Sequence, residues 1–252
     1  MIPRCFVLLA ILISSLLAFT GCNKAPAPAQ EASASATVPA PIDPAMSASI
    51  SGVVNFGGTP PPAQSIDMSA DSGCKGQNQS ETVVVKNGRL ANVLIYVKEG
   101  LGAHKFSAPL EKVVIDQKGC RFVPHVAAAM VGQPVEFLNS DDALHNIHPM
   151  PKSNSEWNQS QMPNGQFARP FTAAELMIPV KCNQHPWMRM YLNIVDNPYF
   201  AVTGADGSFI LKGLPPGTYT IAAVQEKFGE KDTQISVGPK DDRRGVDFEF
   251  RP

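Results

Sequence analysis

Residues 181–190 read KCNQHPWMRM and set a thiol, an imidazole and two thioethers close together, at Cys182, His185, Met188 and Met190. Thiolate and thioether are soft metal ligands and imidazole is borderline. One Cys and two His with a weak axial Met is the set that holds copper for electron transfer. One more histidine is needed. Residues 139–150, NSDDALHNIHPM, offer His145, with His148 three positions on. A hydrolytic zinc centre keeps a position open for water beside three strong protein ligands. Cys182, His145, His185 and a methionine leave no position clearly free, so the residue chemistry points to moving an electron.

Outward from this stretch the chain reads as strands. Residues 176–181 deliver Cys182 from the end of one, and 191–195 form the strand that leaves the loop. Pro179 is awkward in the first, because a proline interrupts a ladder unless its nitrogen faces an edge or a bulge. Upstream, 113–116, 122–130 and 135–139 are further β-rich runs, with Gly132-Gln133-Pro134 as a turn, and they lead to His145. Residues 153–169 are polar and turn-rich without a helical period. Nearer the start, 50–56 (ISGVVNF) alternates and ends in a Gly/Pro turn. Residues 82–85 and 90–97 flank Asn87-Gly88, a strong hairpin signal.

Two sets of residues resemble a known family. Leu144-His145-Asn146-Ile147 resembles the Pro-His-Asn-Val-type stretch of the blue-copper cupredoxins, and Cys182 to Arg189 nearly reproduces the Cys-x2-His-Pro-Phe-Met-Arg loop of its amicyanin type, with Trp187 in place of Phe. The resemblance covers residues 112–196. It implies an all-β fold, a Greek-key cupredoxin sandwich or barrel, and one type 1 copper ion held by His145, Cys182, His185 and an axial methionine. The amicyanin-type loop selects Met188; the longer plastocyanin-type loop selects Met190. It further implies that Asn146 and Asn183 tie the first histidine's strand to the cysteine loop, the alternative being plain turn asparagines. His185 would face the surface inside an apolar patch of Pro186, Trp187 and Met188 and pass electrons to a redox partner protein. His148 is a surface residue near copper or a hydrogen-bonded turn histidine, and the site does not need His104 or His125. The chain would then be an electron carrier and not an enzyme.

From Tyr199 on the pattern changes to short alternating strands punctuated by Asp206-Gly207, Gly213 and Pro215-Pro216-Gly217, the pattern of a small antiparallel sandwich. This part resembles the carboxypeptidase-regulatory, transthyretin-like module, most specifically in Gly213-Leu214-Pro215-Pro216-Gly217-Thr218-Tyr219. The opening features of that module lie far upstream, near Gly52 to Pro62 and Val93 to Val97. The expectation is a small transthyretin-like β-sandwich from 47–103 and 199–252, interrupted by the copper domain at 104–198. Two sandwiches in series is the simpler alternative.

The 252 residues, 44% of them hydrophobic, suffice for packed cores, and a formal net charge of -1 implies no nucleic-acid surface. Residues 1–21 read as a secretory signal: Arg4, an apolar run and a small residue before the break. Leu17 to Cys22 resembles a bacterial lipoprotein cleavage site, which makes Cys22 the lipid-bearing first residue of the mature chain; ordinary secretion with an incidental cysteine is the alternative. Residues 22–46, rich in Ala, Pro and Ser, read as a disordered tether. The expected location is the periplasm or cell envelope, anchored to a bacterial membrane. In that oxidising compartment the remaining pair, Cys74 and Cys120, is most simply a disulfide, against two buried thiols. Rival functions are a carbohydrate- or protein-binding sandwich with a scaffold cupredoxin fold, and copper storage or delivery.

Overall fold

The structure is a computed structural model that describes residues 43–252. The signal, Cys22 and most of the tether lie outside the described residues. What is described is all-β, apart from one 3-10 turn, Pro44–Met46, capped by the Asp43 side chain.

One pair of sheets is built from both ends of the described chain. Strand Ala48–Phe56 alternates so that Ala48, Ile50, Val54 and Phe56 are buried. It pairs antiparallel with Ser208–Leu214, setting Gly52 opposite Phe209, and parallel with Phe248–Phe250. The facing sheet runs Phe200–Val202, Leu94–Glu99, Gly217–Gln225, Gly229–Val237. Ile50, Leu90, Ile95, Leu211, Tyr219, Ile221 and Phe250 fill the space between the sheets. The Asn87-Gly88 signal forms its turn, with φ of 52° and 73° as a type I′ hairpin needs, between Val85–Lys86 and Arg89–Leu90. The run 90–97 is not one strand. Asn92 breaks it at φ 60°, a conformation asparagine tolerates, while its side chain donates to the Glu81 carbonyl at 3.2 Å.

A second pair of sheets lies between those two chain segments. One sheet runs Gln166–Pro170, Pro134–Asn139, Val113–Gln117, Phe122–Val123. The other runs Gln159–Gln161, His145–Pro149, Glu175–Lys181, Arg189–Val195, Val126–Met130. The expected strand 122–130 is divided at Val123-Pro124, and its halves enter opposite sheets. The polar stretch 153–169, read as turns, contributes two strands. Its Gln161 is buried because its side chain donates to the Phe137 carbonyl at 2.7 Å and accepts from Gln117, a polar pairing that apolar alternation cannot reveal. Pro179 fits its strand for a geometric reason. Its carbonyl accepts from Met150 at 2.9 Å, so its missing N–H faces the side where the neighbouring strand ends, at Pro149.

Leu94, Val195 and Val224 form a small apolar junction between the two cores, with Tyr96, Ala128, Leu176 and Phe200 packed on it. One piece departs from the expected division. The hairpin formed by Ser65–Ile66 and Asn78–Gln79 carries Met68 and Cys74 into the second core, although residues 47–103 were expected to serve the first. Cys74 is disulfide-bonded to Cys120 there.

Candidate metal centre

His145 opens the strand His145–Pro149, and Cys182 follows the end of Glu175–Lys181. These strands are hydrogen-bonded neighbours, with His148 opposite Lys181, so the ladder itself brings the first histidine beside the cysteine. The loop then folds back on itself. Met188 donates to the His185 carbonyl at 2.9 Å, and Cys182 donates to the Met188 carbonyl at 3.2 Å, just before the strand Arg189–Val195 departs.

Three donor atoms converge. Nδ1 of His145 and Nδ1 of His185 are 2.9 Å apart, and the Cys182 Sγ lies 3.7 Å from His185 Nδ1. All three ligand atoms lie within 4.8 Å of one another. The residues are 0%, 2% and 2% exposed for His145, His185 and Cys182, so a metal here would be enclosed by protein. A thiol and two imidazole nitrogens facing a common point, with a buried methionine on the same loop, fit copper by the chemistry of the donors.

The outer nitrogens of both rings meet carboxylates. His145 Nε2 is 2.9 Å from Asp141 Oδ2, and His185 Nε2 is 2.8 Å from Asp71 Oδ2. Carboxylates behind metal-binding histidines fix ring orientation and raise ligand basicity. Burial pushes the His145 imidazole below its usual pKa; the Asp141 hydrogen bond opposes this and nearby His185 reinforces it. The net shift favours the neutral ring, the form that binds metal. Asp71 is held below the usual carboxylate range by its hydrogen bond to His185 and by the Gly73 N–H.

Asn146 braces the sulfur. Its backbone N–H points at Cys182 Sγ at 3.4 Å, and its Oδ1 accepts from the Asn183 backbone at 2.6 Å. Asn183 contributes through that backbone group; its side chain turns away to His148 Nδ1 at 3.1 Å. His148 also meets Glu156 at 2.6 Å and lies off the donor cluster. Met188 and Met190 are both fully buried in this core. Met188 belongs to the loop, whereas Met190 is already in the departing strand, opposite Val180. Of the other histidines, His125 lies 3.1 Å from Glu226 on the chain's C-terminal segment.

The structure corrects one expectation about the outer face. His185 does not face the surface: Asp71 lies on its outer nitrogen, and Cys74 Sγ is 3.7 Å from the same atom. Pro186 is exposed and Trp187 half-buried, its ring 5.0 Å from that of His185 and its Nε1 donating to the Cys120 carbonyl at 3.1 Å. Sequence reading missed Asp71 and Asp141. Asp141 could have been found four residues before His145; Asp71 stands in a remote turn-rich stretch with no motif to mark it.

No protein-family model matches this chain, and no curated protein does. Among solved structures, the chain is similar to a Cu-containing nitrite reductase from Thermus scotoductus SA-01, at 21% identity and a TM-score of 0.33, over 38% of this chain and 26% of that one. It thus spans about a quarter of the reductase. It is also similar to a mutant of amicyanin in the Cu(I) state, at 18% identity and a TM-score of 0.30, over 40% of this chain and 97% of that one. A purple cupredoxin from Nitrosopumilus maritimus is matched at 18% identity and a TM-score of 0.29, over 32% of this chain and 98% of that one. The ligand assignment rests on the donor geometry and not on these likenesses.

Proposed function

We propose that this chain is an exported electron-transfer protein whose single type 1 copper ion is held by His145, Cys182, His185 and Met188. The observation that carries this reading is the enclosed convergence of one thiol sulfur and two imidazole Nδ1 atoms on a common point. Copper held by His145, Cys182, His185 and Met188 would supply a one-electron Cu(II)/Cu(I) couple between a donor and an acceptor protein.

The chain's own residues supply rigidity and exclusion. The ligand residues sit at strand ends and on a closed loop, and Asn146 ties one element to the other, so the donor geometry changes little between charge states. All three ligand residues are nearly fully buried, which suits a metal held by protein and supports the carrier reading. The partner would dock where the loop reaches solvent, at Pro186 and the half-buried Trp187, whose ring packs at a tilt against that of His185.

In this reading residues 104–198 form the copper domain, inserted into a carboxypeptidase-regulatory-like sandwich of 47–103 and 199–252. Residues 1–21 direct export, Cys22 carries lipid, and 22–46 tether the protein to a membrane of the cell envelope. The Cys74–Cys120 disulfide supports an oxidising compartment.

The test is a spectroelectrochemical titration of the copper-loaded protein. The expected result is one reversible electron per copper, with metal retained against a chelator in both states. Loss of the metal on reduction would favour copper delivery. Failure to bind copper would overturn the reading.

A further inference from the structure

The two outer carboxylates are joined through one covalent bridge. Asp141, whose Oδ2 meets His145 Nε2, accepts the backbone N–H groups of Gly119 at 2.6 Å and Cys120 at 2.8 Å. Cys120 is bonded to Cys74, and the Cys74 N–H donates to the Asp71 carbonyl at 3.0 Å. Asp71 in turn directs Oδ2 to His185 Nε2 while its Oδ1 accepts from Gly73 at 2.7 Å. The loop that carries Asp71 is anchored at its other end by buried Met68, whose sulfur accepts from Asn78 at 3.6 Å.

We propose that Asp71 and Asp141, fastened together by the Cys74–Cys120 disulfide, form an outer clamp that presets both histidines for metal, with Asp71 as the positioning residue of His185. The argument is one of tautomers. A carboxylate oxygen beside Nε2 favours the proton on Nε2, which leaves the lone pair on Nδ1, and both Nδ1 atoms point into the space beside Cys182 Sγ. Two such lone pairs at 2.9 Å repel until a cation lies between them, so the clamp holds the site ready for an ion. Asp71 is the informative member. It comes from a segment remote in sequence, ordered over the site by the bridge and by Met68, and it covers the ring edge of His185.

The metal-binding consequence rests on the copper reading; the tautomer does not. The test therefore has two arms, on the full chain with Asp71→Ala, Asp71→Asn and Asp71→Glu, the disulfide being verified in each. In the first, nitrogen NMR of the metal-free protein reads the His185 ring. The wild type is expected to show a single Nε2–H tautomer, Asp71→Ala a mixture, and Asp71→Glu a partial return. In the second, copper affinity by competition with a chelator is expected to fall by about 10- to 100-fold in Asp71→Ala, the range typical of such supporting carboxylates, with partial rescue in Asp71→Glu.

An unchanged His185 tautomer in Asp71→Ala overturns the clamp. A changed tautomer in a chain whose wild type takes up no copper supports the clamp and removes the copper reading instead. If Asp71→Ala fails to fold, Asp71→Asn decides, since it keeps the shape and an acceptor but not the charge: an unchanged tautomer and unchanged affinity there overturn the role of the carboxylate.

Discussion

Asn146 shows how much of the site depends on single hydrogen bonds. Its Oδ1 satisfies the Asn183 N–H in a partly buried loop, and its own N–H faces the Cys182 sulfur. Removing the amide leaves that N–H unpaired, which costs about 1–3 kcal/mol. Asn146→Ala should therefore lower stability by that amount in denaturant unfolding. The methionines divide differently. An axial thioether is a weak, long ligand, so its loss spares binding but alters potential and spectrum, whereas loss of a packing methionine changes mainly stability. Met188 lies in the closed loop and Met190 in the departing strand. Met188→Leu should shift the reduction potential and visible spectrum, with Met190→Leu leaving both nearly unchanged; the reverse outcome would assign Met190. At this scale the sequence displayed Cys182 and His185 in one local motif and His145 in a second short one. It could not display Asp71, which reaches His185 only through the fold.

Among the elements, Gly52 decides how the chain's C-terminal segment seats on its strand. A Cβ at this position would lie 2.0 Å from the Val246 carbonyl oxygen, a backbone atom that cannot swing aside. Forcing backbone apart in a packed region costs about 1–3 kcal/mol. Gly52→Ala should lower the unfolding midpoint accordingly and raise amide exchange near Val246. The turn at residues 152–154, after strand His145–Pro149, is fixed by the carboxylate of Glu175 instead. Burial raises the Glu175 pKa, but the N–H groups of Lys152 at 2.5 Å and Ser153 at 2.9 Å, with the Asn154 amide, outweigh it and hold the group below its usual range. A depressed folded pKa means the contribution is fully present above the unfolded carboxylate value and is lost as pH falls through the folded one. The stability difference between wild type and Glu175→Gln should thus shrink toward zero on acidification, as followed by denaturant unfolding at stepped pH. Element types were legible where alternation or Asn-Gly chemistry spoke. They were hidden at Gln159–Gln161, where Gln161 alone is buried and is paired with the polar Gln117, and at Val123-Pro124, where one apolar run serves two sheets.

Across the whole molecule, strand pairing joins residues near Gly52 and Leu94 to those near Phe209 and Val224, and the second core, which carries His145, Cys182 and His185 at its edge, is built mostly from chain between those two segments. Turn signals and the two resemblances made an interrupted sandwich one expectation, beside two sandwiches in series. The crossing piece, the hairpin that takes Cys74 into the second core, was not legible, since long-range placement of a loop leaves no period in its own residues. The outer edge of His185 is thereby covered by Asp71, and the loop meets solvent at Pro186 and Trp187. The central claim remains the sulfur. The most direct measurement is the visible absorption of the protein loaded with one equivalent of Cu(II), beside Cys182→Ala treated identically. The account predicts an intense sulfur-to-copper band in the wild type and none in the variant, with the fold retained by circular dichroism. A colourless wild type, or the same band surviving in Cys182→Ala, would contradict it.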